Sequence, residues 1–134
     1  MSQIFDPIRK KYVERTPEEE VRQAVISNLM GVMEVPETHI AVEQGFKFNG
    51  LQYRADIIVY GRDLAPAMLV ECKAPSVRLT DKVIDQVVRY NMVLGVGYIM
   101  ITNGKRTCIA KMDPASGSFE FIGSIPKYNE ISAA

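Results

Sequence analysis

Two stretches of the sequence decide the fold: RADIIVY at residues 54–60 and LVECK at residues 69–73. Both are rich in aliphatic and β-branched residues, which favour β-strands. Between them lies GRD at residues 61–63, a combination typical of a tight turn. The two stretches are therefore predicted to be neighbouring antiparallel strands.

The position of the turn also predicts which residues of the two strands are opposed. A turn centred between residues 63 and 64 sets Asp56 opposite Glu71 and Arg54 opposite Lys73. Directly opposed residues share a face of the sheet, with Cβ atoms roughly 5 Å apart. Two carboxylates that close repel each other unless a cation lies between them.

Paired carboxylates beside a lysine are typical of a magnesium site that acts on phosphates. Mg²⁺ is usually held by one or two carboxylates plus water and phosphate oxygens, so Asp56 and Glu71 are the predicted ligands, with the backbone carbonyl of Cys72 as a further one. Lys73 is predicted to position or deprotonate the attacking water, or to stabilise the phosphoryl charge.

A ladder of salt bridges is the alternative interpretation of the same residues. It pairs Asp56 with Lys73 and Glu71 with Arg54 across the strands, as on many exposed sheets. The strongly apolar residues around these charges argue against a merely solvated face.

Periodicity and turn signals predict the remaining elements around these two strands. Thr16 is the expected N-cap of the first helix, Glu19 completes a capping box, and Asn49-Gly50 indicates a type I′ hairpin turn. The predicted helices are 17–31 and 81–94, and the predicted strands are 40–48, 51–60, 67–73, 96–102, 107–112 and 119–122. This order predicts an α/β (α+β) fold with three layers and a mixed central sheet.

Length and composition fit one globular domain. The chain has 134 residues, of which 47% are hydrophobic and 24% charged, and it contains no apolar stretch of membrane-spanning length. We expect an N-terminal extension at 1–15, a domain at 16–128 and a C-terminal tail at 129–134. Two cysteines do not make a disulfide framework, which favours the cytoplasm.

Charge argues weakly against a nucleic-acid partner. The formal net charge is zero, whereas non-specific nucleic-acid binding usually requires a basic surplus. A neutral total can still hide a basic face. The one local basic cluster, Arg9, Lys10, Lys11 and Arg15, is interpreted as a solvated terminal tail.

Four segments together resemble a known family. RAD at 54–56 followed by ECK at 71–73 resembles the D…ExK core of PD-(D/E)XK nucleases. With TPEEEVR at 16–22, VECKAP at 70–75 and QVVRYN at 86–91, the sequence resembles the nuclease domain at the N-terminus of type I restriction enzyme R subunits. The resemblance runs over residues 16–128.

This resemblance implies an α-β-β-β-α-β core and phosphodiester cleavage that depends on Mg²⁺, with Mn²⁺ as a substitute. Asp56 and Glu71 match the metal ligands of the family, and Lys73 matches its catalytic lysine. An acidic residue on the first helix often completes the site. Glu18 is favoured because helical spacing aligns it with the apolar face, whereas Glu19 and Glu20 are as well explained by the helix N-terminus.

Further residues are candidates for accessory roles. Gln86 and Tyr90 match the QxxxY element of some subgroups and lie on one helix face, where they are expected to orient the lysine or the DNA. The alternative is a tyrosine that simply packs on the sheet. Glu43 is opposite Asp56 in a strict hairpin register, unless a bulge at Gly45 moves it away.

The sequence predicts a metal-dependent DNA endonuclease domain. The sequence has no phosphate-binding GxxxxGK[ST] loop and is too short for the motor domains of an R subunit. The alternative function is a non-catalytic module on the same fold that binds nucleic acid or docks to a partner. The expected partners are DNA and a homodimer or a larger restriction or repair complex, with no membrane.

Overall fold

A mixed sheet of six strands is the middle layer of the protein. The computed structural model describes residues 2–113 and 115–133, without the side chains of residues 46, 48 and 133. The helices are α1 (Pro17–Gly31), α2 (Asp81–Met92) and α3 (Tyr128–Ala133). The strands are β1 (Gln3–Asp6), β2 (Lys11–Glu14), β3 (Ile40–Phe48), β4 (Leu51–Tyr60), β5 (Pro66–Cys72), β6 (Tyr98–Thr102), β7 (Thr107–Asp113) and β8 (Ser118–Ile122).

The six strands β3 to β8 are adjacent in sequence order, and β1 and β2 form a separate small sheet. All neighbouring strands of the large sheet are antiparallel except β5 and β6, whose connection passes through α2. The predicted α-β-β-β-α-β order and the mixed sheet are therefore confirmed.

Helices cover both faces of this sheet and make the three layers. One apolar cluster packs α1 and α3 against one face, with Ile26, Leu29 and Ile131 fully buried. A second cluster packs α2 against the other face through Ile84 and Val88. Burial of these side chains is the main driving force that holds the layers together.

Hydroxyl N-caps begin both long helices, and the Asn49-Gly50 turn has the predicted conformation. The Thr16 hydroxyl accepts a hydrogen bond from the Glu19 N–H at 3.0 Å, and the Thr80 hydroxyl accepts one from Val83 at 3.2 Å. Asn49 and Gly50 both have positive φ, 51° and 78°, as a type I′ turn requires.

The predicted register of β4 and β5 is confirmed over three pairs, from Ile57 opposite Val70 to Val59 opposite Met68. The register then shifts, and Tyr60 is opposite Pro66. The shift leaves the register near the charged residues unchanged because it lies at the turn end of the hairpin.

The N-terminal segment forms a hairpin of β1 and β2 instead of a tail. Arg9 corrects the predicted solvated cluster, because its largely buried guanidinium is paired with Asp6 and Glu19. The other three residues of the cluster are exposed as predicted: Lys10, Lys11 and Arg15. Of the segment 1–15, residue 1 lies outside the described residues.

The C-terminal segment predicted as a tail is also ordered. It forms α3, whose Ile131 is fully buried in the core and whose Tyr128 hydroxyl donates to the Tyr60 carbonyl at 2.9 Å. Residue 134 lies outside the described residues. In the part of the chain that the structure describes, no helix is long and apolar enough to span a membrane.

The buried Asp6 carboxylate closes the turn of the N-terminal hairpin. Its interactions there are expected to make the stability of the protein depend on pH. It accepts hydrogen bonds from the N–H groups of Ile8 and Arg9 at 2.8 and 2.9 Å, and it pairs with the Arg9 guanidinium. Burial is the largest effect and raises the pKa of Asp6. The backbone and side-chain bonds of Arg9 and the Ile8 N–H together outweigh burial, so this pKa lies below its ordinary 3.8.

Asp6→Asn is expected to lower the free energy of unfolding by about 2 kcal/mol near pH 7, measured by urea denaturation. Because the folded pKa is lowered, the contribution is complete above about pH 4 and is lost as the pH falls further. The two proteins should therefore converge in acid. Asp63→Asn, in an exposed turn, is the control and should change stability by less than about 0.5 kcal/mol. An equal loss in both variants would contradict the assignment.

Candidate active site

Asp56 lies where β4 stops pairing with β5. The ladder between these strands ends at Ile57 and Val70, one pair short of the predicted Asp56–Glu71 pair. Instead, the Asp56 carboxylate itself accepts a hydrogen bond from the Cys72 N–H at 2.7 Å. Its other oxygen accepts one from the Arg22 guanidinium at 3.2 Å. The Asp56 side chain thus replaces a backbone partner at the end of β5.

Glu71 and Lys73 form an ion pair at the same strand end. The Lys73 ammonium lies 3.2 Å from a Glu71 carboxylate oxygen, and both side chains are about one-third exposed. The Lys73 N–H donates to the Thr102 carbonyl at 2.8 Å, which fixes the backbone just beyond β5. Alternation along β5 sets Glu71 on the face of Leu69, the face covered by α2.

The cross-strand ion pairs of the alternative interpretation are not those that form. Lys73, just beyond β5, pairs with Glu71 of β5, and Arg54 pairs with Glu43 of β3 at 3.2 Å. The predicted opposition of Arg54 and Lys73 is wrong, because β4 has left β5 before Arg54 and pairs there only with β3.

Glu43 and Asp56 mark an irregularity in the hairpin of β3 and β4. The register is the same on both sides of them, with Val42 opposite Ile57 and Gln44 opposite Ala55, so the alternative of a bulge at Gly45 does not occur. Glu43 itself has a φ of 51°, a left-handed conformation that side chains other than glycine rarely adopt.

This irregularity changes which face of the sheet the strand presents. Strict alternation sets Ala55 and Ile57 on one face, yet Ala55 packs beneath α2 and Ile57 beneath α1. The face switches at Asp56. As a result, its carboxylate reaches both the β5 backbone and a side chain of α1.

Arg22 is the cation at the centre of the site. Its buried guanidinium lies 2.7 Å from Glu19 and 3.2 Å from Asp56. It also lies 3.4 Å from both Glu18 and Glu43. Burial disfavours the charged guanidinium and is the largest single effect, but the charges of Glu19 and Asp56 outweigh it and raise the pKa of Arg22. Arg22 therefore stays charged and joins α1, β3 and β4.

A second arginine supports the first from the N-terminal hairpin. Arg9 lies 2.8 Å from the same Glu19 oxygen and 3.3 Å from Glu43. Burial again opposes the charge, but bonds to Asp6 and Glu19 raise the pKa of Arg9. The network therefore extends from the site to the beginning of the chain.

The first-helix glutamates occupy different environments. Glu19 is buried, and its carboxylate is bound by Arg9, Arg22 and, at 3.2 Å, by Gln23. The predicted capping box is therefore only half formed, because the Thr16 N–H donates to the Glu14 carbonyl instead.

Glu18 is exposed at the border of the apolar face with which helical spacing aligns it. Three residues of that predicted face are buried as expected: Val21, Val25 and Leu29. Its fourth residue, Val32, is exposed, and the buried stripe also includes Glu19, Arg22 and Ile26, so the centre of the stripe is rotated away from Glu18. Glu18 still reaches the site through Arg22, and it remains the predicted first-helix acid.

The Cys72 thiol is buried between these charges. Burial, followed by the negative charge of Asp56, raises the pKa of Cys72 to about 12. The thiol therefore stays protonated in the protein without metal. The role predicted from the sequence is that of the Cys72 backbone carbonyl.

Gln86 and Tyr90 are both exposed on α2. The Tyr90 ring packs against Tyr53 of β4, with ring centroids 5.5 Å apart. This contact matches the packing role that the sequence left open for the tyrosine. Tyr53 belongs to the arm of the β3–β4 hairpin that extends past the end of β5.

The charges around the end of β5 do not balance. Ion pairs join five carboxylates to three arginines: Asp6, Glu18, Glu19, Glu43 and Asp56 to Arg9, Arg22 and Arg54. Glu71 pairs separately with Lys73. Carboxylates therefore outnumber cations by two among these residues.

The donor chemistry fits Mg²⁺ when solvent and substrate supply part of the coordination. Among the described residues, no three His, Cys, Asp or Glu side chains converge on a common metal position. Asp56 and Glu71 supply two carboxylates, and the Cys72 carbonyl is the predicted third donor. Mg²⁺ commonly keeps several waters and binds substrate phosphate, so two carboxylates suffice.

Arg22 and Arg9 are the residues that sequence reasoning missed. A signal for Arg22 exists, because it lies four residues before Ile26 and shares the buried stripe of α1. A buried arginine requires acidic partners, which points to Glu19 and Asp56. No comparable local signal identifies Arg9, because its role depends on how the N-terminal hairpin packs.

Comparison with known proteins identifies the family. Residues 17–126 match the family described as type I restriction enzyme R protein N terminus. The fold is similar to a fragment assigned to an HsdR subunit of a type I restriction enzyme from Vibrio vulnificus YJ016, with a TM-score of 0.57 and 21% sequence identity. That match covers 85% of this chain and 24% of the other. The curated proteins gave no match. The family match spans most of the chain, and the protein therefore belongs to the family of type I restriction enzyme R protein N termini.

Proposed function

We propose that this domain is a PD-(D/E)XK nuclease that hydrolyses phosphodiester bonds of DNA with Mg²⁺, which Mn²⁺ can replace. The observation that carries the proposal is the bond from the Cys72 N–H to Asp56 at 2.7 Å. It brings Asp56 to the strand end where Glu71 and Lys73 are paired at 3.2 Å. The family membership supports nuclease chemistry, a restriction complex in the cytoplasm and a DNA partner.

Each residue of the proposed site has a distinct role. Asp56 and Glu71 would hold the metal with the Cys72 carbonyl. When bound, Mg²⁺ acidifies a water and stabilises charge on the scissile phosphate. The Lys73 ammonium donates to the phosphate or orients the attacking water. Arg22 positions Asp56 through the contact at 3.2 Å.

A non-catalytic binding module is the second candidate, and one observation favours it. Arg22 already neutralises one oxygen of Asp56, as a purely structural ion pair would. The ion pair of Glu71 and Lys73 at the same strand end favours the nuclease, because the network of Arg22 and Asp56 makes no described ion pair with either residue. Metal-dependent cleavage decides between the two candidates.

Lys73→Ala is expected to reduce cleavage at least about 100-fold while metal binding and folding are retained. The lysine is one-third exposed and pairs only with Glu71 among the described residues, so its removal leaves the core intact. Cleavage of linear, circular and branched DNA with Mg²⁺, Mn²⁺ or EDTA is the measurement. Lys111→Ala is the matched control, because Lys111 is an exposed lysine of β7 that lies opposite Tyr98, at the other end of β6. Full activity of Lys73→Ala would exclude the assigned role.

Asp56→Asn is expected to abolish metal-stimulated cleavage and to weaken Mn²⁺ binding by roughly tenfold or more. Asparagine keeps an oxygen for the Cys72 N–H but removes the charge that holds the cation. Electron paramagnetic resonance of Mn²⁺ measures the binding directly. Asp85→Asn, on the exposed side of α2 beside Arg89, is the control and should bind Mn²⁺ as the unmodified protein does. Unchanged Mn²⁺ affinity in Asp56→Asn would exclude Asp56 as a ligand.

Glu19→Gln is expected to affect the stability of the fold, and Glu18→Gln is expected to affect cleavage. Glu19→Gln removes a buried partner of two arginines and should lower the free energy of unfolding by about 3 kcal/mol. Glu18→Gln should leave unfolding unchanged but reduce cleavage at least about tenfold. Glu20→Gln is the exposed control. If Glu18→Gln cuts as well as Glu20→Gln, Glu18 is not part of the site.

A further inference from the structure

Four basic residues lie together beyond the carboxyl ends of β5 and β6. We name them the basic ridge: Arg78 of the loop after β5, Lys82 in the first turn of α2, and Lys105 and Arg106 of the turn after β6. Because β5 and β6 are parallel, with Cys72 beside Thr102, both segments leave the sheet at the same edge. In open α/β sheets, this edge is where ligands bind.

Hydrogen bonds tie the two halves of the ridge together. The buried Asn103 amide donates to the Val77 carbonyl at 2.8 Å, and the Arg106 guanidinium donates to the Leu79 carbonyl at 2.6 Å. The Asn103 side-chain oxygen also accepts from the N–H groups of Lys105 and Arg106, at 2.9 and 2.8 Å. The basic side chains therefore extend from loops whose backbone is held by these hydrogen bonds.

The charge of the ridge is mostly uncompensated. Arg106 pairs with Asp81 at 3.0 Å. Arg78, Lys82 and Lys105 are exposed, and none of them takes part in an ion pair among the residues described. In a chain with a formal net charge of zero, three free cations on one edge are a local positive surface.

The ridge begins directly beside the proposed catalytic lysine. The Lys73 N–H donates to the Thr102 carbonyl, and Thr102 immediately precedes the turn that carries Lys105. The charge changes sign across this short distance. On one side of Lys73 lies the acidic cluster suited to a metal, and on the other lies a surface suited to anions.

We propose that the basic ridge binds the backbone phosphates of a DNA duplex that flank the phosphate at Lys73. The proposal rests on the proposed nuclease function and adds where the substrate lies. Contacts to phosphates position a duplex without reading its sequence. The ridge therefore predicts binding that is independent of sequence and strongly dependent on salt.

The test is the salt dependence of duplex binding by the triple variant Arg78→Gln, Lys82→Gln and Lys105→Gln. These side chains make no described ion pair, and Arg106 is kept because it holds the Leu79 carbonyl. Fluorescence anisotropy with Ca²⁺ in place of Mg²⁺ measures binding without depending on cleavage. The slope of log K against log salt is negative, and each lost phosphate contact reduces its magnitude by about 0.9. The magnitude of the slope should therefore be about 2.7 smaller in the triple variant. Its affinity near 0.1 M salt should fall roughly tenfold or more, equally for unrelated sequences.

A single pair of variants supplies the matched control. Lys105→Gln should reduce the magnitude of the salt slope by about 0.9, whereas Lys111→Gln should leave the slope unchanged. Lys111 is also exposed and without a described ion pair, but it is opposite Tyr98, at the far end of β6 from Thr102.

Three results would overturn the ridge as a DNA surface. They are an unchanged slope in the triple variant, equal losses in the two single variants, or no duplex binding by the unmodified protein. A triple variant that binds DNA with an unchanged slope but no longer assembles with a protein partner would also overturn the DNA surface. Normal duplex binding without any cleavage would contradict the proposed nuclease function alone.

Discussion

The buried guanidinium of Arg22 is the interaction on which the site depends. It touches carboxylates from α1, β3 and β4, so three elements of two layers share one charge. A buried cation without these partners would be strongly unfavourable, and the partners without it would repel one another. Its Nε is buried without a hydrogen-bond partner among the described residues.

The same network explains why the N-terminal hairpin belongs to the domain. Arg9 shares Glu19 with Arg22 and is itself held by Asp6 at the hairpin turn. A chain of alternating charges thus runs from β1 to Asp56. Any change in the packing of the hairpin alters the charge balance around the proposed metal ligands, although the hairpin touches neither Glu71 nor Lys73 in any described ion pair.

Local signals in the sequence predict the elements and most of the register. Asn49-Gly50 specifies its turn because both residues accept positive φ, and the apolar strands specify their faces because one face is always buried. The sequence also identifies Glu71 and Lys73 as neighbours, because they are two apart on a strand. Helical spacing from Ile26 does set Arg22 on the buried stripe of α1. The left-handed Glu43 and the docked N-terminal hairpin are tertiary effects, so no local pattern predicts them.

The irregularity at Asp56 shows why the site could not follow from a regular ladder. In a regular hairpin the backbone of β4 would satisfy the Cys72 N–H, and the Asp56 side chain would point to one face only. Here β4 leaves β5, the Asp56 carboxylate accepts from Cys72, and the face of the strand switches. The left-handed Glu43 lies at the strictly opposed position on β3 and pairs with both Arg22 and Arg54. Conformational strain of this kind persists only where the surrounding structure holds it, and it clusters at functional sites. The split between β4 and β5 is therefore the irregularity that lets the Asp56 carboxylate reach the Cys72 N–H, at the strand end where Glu71 and Lys73 form their ion pair.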